Sequence, residues 1–149
     1  MIDQNRAMNI AGLLILLSGT VFIILFGRSL QFDPNPTVWF TPAYYLQFIP
    51  IYIAVIFFIC GFFLVIKFRK VNVYLAVFGH ATSEEIIFSI VGLTVTPLPT
   101  YAMAIFLPLS IIALWIAYRN TLDRETVSLA EAIFGIVLST ASILIPRYL

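Results

Sequence analysis

Charge is what this sequence has least of. Asp, Glu, Lys and Arg make up 10% of its 149 residues, against ~25% in an ordinary soluble domain. A chain so poor in charge cannot clothe a water-facing surface. Its eight basic and seven acidic residues leave a net charge of +1, which gives no electrostatic footprint for nucleic acid. Cysteine is nearly missing as well. Cys60 stands alone, which excludes an intramolecular disulfide and any zinc-type cysteine cluster. Inside the apolar stretch Phe57–Phe63 it reads as a small packing residue.

Catalytic signatures are absent too. There is no Gly-rich phosphate loop, no Gly-x-Ser-x-Gly, no His-x-x-x-His and no Cys-x-x-Cys. The chain alone is therefore not expected to be an enzyme. No cofactor or metal is predicted for it, although a bound lipid or quinone would suit so apolar a protein.

What the sequence does have is hydrocarbon, with 62% hydrophobic residues. Crossing ~30 Å of bilayer takes about 20 helical residues. Four runs meet that length, giving expected transmembrane helices at 8–27, 46–66, 101–118 and 127–145. The first resembles a signal peptide, with Arg6 ahead of it, but it exceeds the usual ~7–15 apolar residues and ends at Arg28 without a cleavage pattern. We read it as a retained signal anchor. The second has Pro50 near its start, where a missing N–H costs least. The third contains Pro108, which predicts a kink rather than a break. The fourth stops at Pro146 and Arg147. The whole chain, 1–149, reads as one all-α, polytopic transmembrane domain.

Pro34, Pro36 and Pro42 rule out a continuous helix between the first two runs. Trp39, Phe40, Tyr44, Tyr45 and Phe48 crowd the second half of that loop, so we expect it at the headgroup level. A lid over a ligand or quinone is the sharper reading of the same rings.

Residues 71–97 are ambiguous. Thr82 and Glu85 have capping-box spacing, which starts a helix near Ser83 and ends it before Pro97. Such a helix is too short to cross. Joined to Val71–Phe78 it becomes a fifth, broken or re-entrant span, with two glutamates near mid-membrane. A β-hairpin outside the bilayer is a third possibility. The basic cluster Lys67, Arg69, Lys70 puts that end, and the N-terminus with it, in the cytoplasm. If 71–95 crosses, six basic residues lie inside and two outside; if not, the split is five to three. This favours the fifth span.

Two sets of residues stand out. Ser128, Ala132, Gly135, Ser139 and Ser142 recur at steps of four and three, a small-residue stripe suited to close helix packing within the chain or against a partner. His80, Glu84, Glu85 and Glu131 are the ionisable residues within or beside apolar runs, the default candidates for a proton or ion site. The bland alternative places Glu84 and Glu85 at a helix N-terminus on the interface, His80 in the preceding turn, and Glu131 in an exposed first turn. The expected function is a small, non-catalytic subunit packed among other membrane subunits and lipids in a larger complex, of which energy-transducing redox assemblies are one type. The setting is a multi-pass protein of a prokaryotic cell membrane. The alternative is a homo-oligomeric transporter or channel using an intramembrane carboxylate.

Overall fold

The computed structural model describes residues 4–148, Gln4 and Pro146 by their backbone alone. Among them every regular element is helical: α1 (Gln4–Gly27), a 3-10 turn (Val38–Phe40), α2 (Pro42–Leu46), α3 (Ile49–Val65), α4 (Val71–Ile90), α5 (Thr100–Arg119) and α6 (Leu129–Tyr148). Three stretches are long and apolar enough to span a bilayer: Asn5–Gly27, Pro42–Val65 and Thr100–Arg119. The expected fourth, in α6, is the shorter apolar stretch Leu129–Ile145.

Successive long helices alternate in direction. The backbone of α1 lies against that of α3 where two glycines meet. A Cβ on Gly12 would stand 2.9 Å from the Gly61 carbonyl oxygen, and one on Gly61 would stand 2.8 Å from the Leu16 nitrogen. Next, α3 meets α4 through the Cys60 thiol, which donates to the Tyr74 carbonyl at 3.3 Å. The glycine contact recurs between α4 and α5, where a Cβ on Gly79 would meet Leu114 Cγ at 2.5 Å. The other long partner of α4 is α6, which runs parallel to it. Four helices share one aromatic core. Phe22 of α1 and Phe57 of α3 lie 4.7 and 5.6 Å from the Phe106 ring of α5, and Phe57 lies 5.1 Å from Phe78 of α4.

The ambiguous stretch resolves into one unbroken helix. There is no helix start at Ser83, because α4 runs through it, and 71–95 forms no strand, being helical to Ile90 and a turn beyond. Thr82 has no capping role. It is fully buried, and Ser83 donates back to the Gly79 carbonyl at 2.6 Å, as a serine inside a helix does. Packing decides the matter: Leu75, Phe78, Ala81 and Ile86 are all buried against neighbouring helices, so breaking α4 at Gly79 would unpack both halves. Its 20 residues rise ~30 Å before the chain turns.

Three helices end alike. Lys67, Gly92 and Asn120 have φ of 56°, 77° and 49°. The following N–H groups reach back six residues' span, Phe68 to the Phe63 carbonyl, Leu93 to Phe88 and Thr121 to Ile116. This left-handed closure satisfies the orphan carbonyls of a helix end. Glycine adopts such a φ freely, which suits Gly92.

Other boundaries move. The expected helix at 46–66 is divided, since α2 ends at Leu46 and α3 begins at Ile49. Pro108 is accommodated within an unbroken α5, and α6 continues past Pro146 to Tyr148. The aromatic loop folds on itself, with the Trp39 indole donating to the Asp33 carbonyl at 2.7 Å and Tyr44 packed edge-on to Phe48 at 5.4 Å.

Candidate functional site

The polar residues of the chain collect along α4. At its start, Asn72 is fully buried and donates to the Asn120 side-chain oxygen at 2.7 Å and the Glu125 carbonyl at 3.0 Å. These bonds fasten the 120–125 turn over the end of α4. Beside them Lys70 pairs with Glu131 at 2.9 Å. The contact with Glu131 raises the Lys70 ammonium above the ordinary lysine range.

Glu131 is a capping residue. Its carboxylate accepts the Ser128 N–H at 3.0 Å and hydroxyl at 2.8 Å, while the Ser128 hydroxyl accepts the Glu131 N–H at 3.2 Å. This reciprocal arrangement is a capping box. Glu131 therefore stands apart from His80 and the other glutamates, at the basic end of the bundle.

Half-way along α4 two of the other three candidates, His80 and Glu84, come together. His80 Nε2 lies 2.7 Å from the Tyr118 hydroxyl of α5, and His80 Nδ1 lies 3.6 Å from Glu84 Oε1. The far oxygen of Glu84 accepts the hydroxyls of Ser139 at 2.9 Å and Thr140 at 2.8 Å, both on α6. The result is a phenol, an imidazole, a carboxylate and two hydroxyls in sequence, joining three helices. Ser139 also lies 2.9 Å from the Ile136 carbonyl, so its one proton is shared between two acceptors. A proton on the imidazole would make the His80–Glu84 contact an ion pair.

Glu85 points elsewhere. It is 1% exposed, and both its oxygens accept from Arg147 Nη2, at 2.8 and 3.0 Å. The same nitrogen donates to the Val95 carbonyl at 3.2 Å, and Nη1 donates to the Ile143 carbonyl. A single guanidinium thus ties the end of α6 to α4 and to the segment after it. Such a pair is costly to break by halves, because the remaining charge stays buried.

The bland placement of Glu84 and Glu85 at a helix N-terminus is overturned, because both lie in the interior of α4. The small-residue stripe faces α4 in part. Gly135 and Ser139 are buried there and Ala132 is partly buried, whereas Ser142 lies towards Tyr45 of α2 and Ile49 and Tyr52 of α3, and Ser128 is exposed. Gly135 is not a tight crossing: a Cβ there would stand 3.8 Å from Val77. The sequence reading missed Asn72, Tyr118, Thr140 and Arg147. The signal available for Asn72 was an amide inside an apolar run. Arg147 looked like a stop signal, and nothing in its spacing paired it with Glu85.

One face of α4 is left less covered. Val73, Val77, His80 and Glu84 are only partly buried, and Ile87 beyond them is 47% exposed. This strip follows helical spacing and lies between α5 and α6. Among the described residues no group of three His, Cys, Asp or Glu side chains is arranged to hold a metal. No family model, curated protein or solved structure matches the chain, so the fold and this site are read from geometry alone.

Proposed function

We propose that the chain is a multi-pass membrane protein crossed by five helices, and that it serves as a non-catalytic subunit of a larger membrane complex. Its docking face is the uncovered strip of α4. The five-crossing reading draws support from charge. The alternating helices gather Arg6, Lys67, Arg69, Lys70, Arg119 and Arg124 at one end and leave Arg28 and Arg147 at the other. That asymmetry puts the basic end, with the N-terminus, in the cytoplasm.

The observation that carries the subunit reading is the position of His80 and Glu84. Ionisable side chains within a bilayer almost always face the bundle interior or a wet cavity. This pair is internally bonded yet 17% and 15% exposed, on a strip flanked by the exposed Trp115 and Tyr118. A neighbouring membrane helix seated there would complete its burial.

The test is purification from native membranes in mild detergent, for the wild type and for Glu84→Leu. A stoichiometric partner retained by the first and lost by the second is expected. A lone monomer in both would overturn the reading. A homo-oligomer without other chains would favour the second reading, a carrier that uses the Tyr118–His80–Glu84 sequence to hold a proton.

A further inference from the structure

An apolar cavity of about 250 Å³ lies between α1, α3, α4 and α5 at the basic end of the bundle. Small side chains make it: Ala7 and Ala11 on α1 and Ala113 on α5 line it, and the Cys60 thiol on its wall is already bonded to Tyr74. Beyond it an apolar groove continues between α1 and α5, sharing Ile15, Phe57 and Leu109 with the cavity and running to Phe22. From Ala7 to Phe22 this seam is ~22 Å long, longer than the ~15 Å of hydrocarbon in one leaflet. It is also narrow, since α1 and α5 meet at the Phe22–Phe106 ring contact.

A cation lies beside the Met8 wall of the cavity. Met8 lines the cavity, and Arg124 Nη2 lies 4.0 Å from its sulfur, a weak acceptor. Arg124 Nε is buried without a hydrogen-bond partner. The nearby Arg69 and Lys70 are taken up by Glu125 and Glu131, whereas among the described residues no carboxylate pairs with Arg124. A partly desolvated guanidinium whose only acceptor among the described residues is a thioether is a site for a phosphate or carboxylate oxygen.

We infer that the seam binds one acyl chain of an anionic phospholipid, whose phosphate rests on Arg124. A mostly apolar slot with a guanidinium beside its Met8 wall matches an amphiphile with its anionic head at the cytoplasmic surface, where anionic lipids are read by basic pockets between helices. This inference rests on the membrane reading above but not on the subunit reading.

The full chain, purified in dodecylmaltoside, would be titrated with phosphatidylglycerol or phosphatidylcholine and observed by native mass spectrometry. One phosphatidylglycerol per chain is expected, bound at least tenfold tighter than phosphatidylcholine. Arg124→Gln should abolish that preference and Arg124→Lys should keep most of it. Ala113→Leu, which fills the cavity, should weaken both lipids tenfold, with thermal melts confirming that each variant is folded. Equal binding of the two lipids by the wild type would overturn the proposal, as would undiminished preference in Arg124→Gln. Displacement by millimolar inorganic phosphate, with Ala113→Leu unaffected, would reduce the site to a bare anion contact and also overturn it. Carbonate washing of the source membranes separates the two failures. A chain that washes off refutes the membrane reading, and one that stays but shows no lipid preference refutes only this inference.

Discussion

At the scale of single residues, the pairings of Glu85 and Glu131 predict unequal responses to the same substitution. Glu85 is buried with Arg147, so Glu85→Gln leaves a guanidinium without its counter-charge. We expect a loss of about 3–5 kcal/mol, read as reduced unfolding free energy in mixed micelles titrated with SDS. Glu85→Leu combined with Arg147→Met should recover most of it, because a buried pair replaced by apolar groups is often neutral. Glu131→Gln should leave the unfolding midpoint unchanged, since glutamine keeps the capping geometry and exposed pairs contribute little. The raised Lys70 ammonium gives a matching pH expectation. Its contribution is fully present below the ordinary lysine range and is lost only as pH rises through the raised value, so a scan from about pH 6 to 9 should read flat for this pair. Sequence spacing offered a box at Thr82 and Glu85, whereas the box that forms is at Ser128 and Glu131, because a capping box is real only where the helix begins. Where α4 begins was decided by Leu75 and Phe78 packing against other helices, which local spacing does not record.

Among elements, the glycines separate close crossings from roomy ones. A methyl on Gly61 would press on α1 backbone at 2.8–2.9 Å, whereas one on Gly135 would find ordinary contact at 3.8 Å. Gly61→Ala should therefore push α1 away from α3 and lower the thermal midpoint. Gly135→Ala should be neutral or stabilising, by up to ~1 kcal/mol from helix propensity. Equal effects in differential scanning of the two purified variants would contradict this assignment. The sequence pointed the other way, towards the regular stripe on α6, because a repeat is visible in one helix. At the α1–α3 contact only α1 carries a repeat, Gly12 and Gly19 seven residues apart and both close to α3, while α3 offers Gly61 alone. The contact depends on the relative height of two helices, set by the loop at 28–48, and so could not be read from either helix alone. The apolar runs themselves were legible to within a few residues, since length and hydrophobicity are properties of one segment.

For the whole molecule, the structural fact of most consequence is that α4 is continuous and parallel to α6. Its polarity had obscured it: with Asn72, His80, Glu84 and Glu85 along its length it is the least apolar of the long helices, yet it is the most enclosed. The Asn72 amide nitrogen, His80, Glu84 and Glu85 find partners on α5, α6 and the turn at 120–125, contacts that only the assembled bundle supplies. Continuity of α4 brings residues 66–70 and 119–128 to the same end and residues 28–48 and 91–99 to the other. The five-crossing account is tested most directly by labelling single cysteines at exposed positions in a Cys60→Ser background, with a membrane-impermeant maleimide on sealed, oriented vesicles. Replacement of Arg69 and Thr126 should give labelling from the cytoplasmic side, and replacement of Asp33 and Val95 from the opposite side. Labelling of 69 and 126 from opposite sides would remove α4 as a crossing and contradict the account.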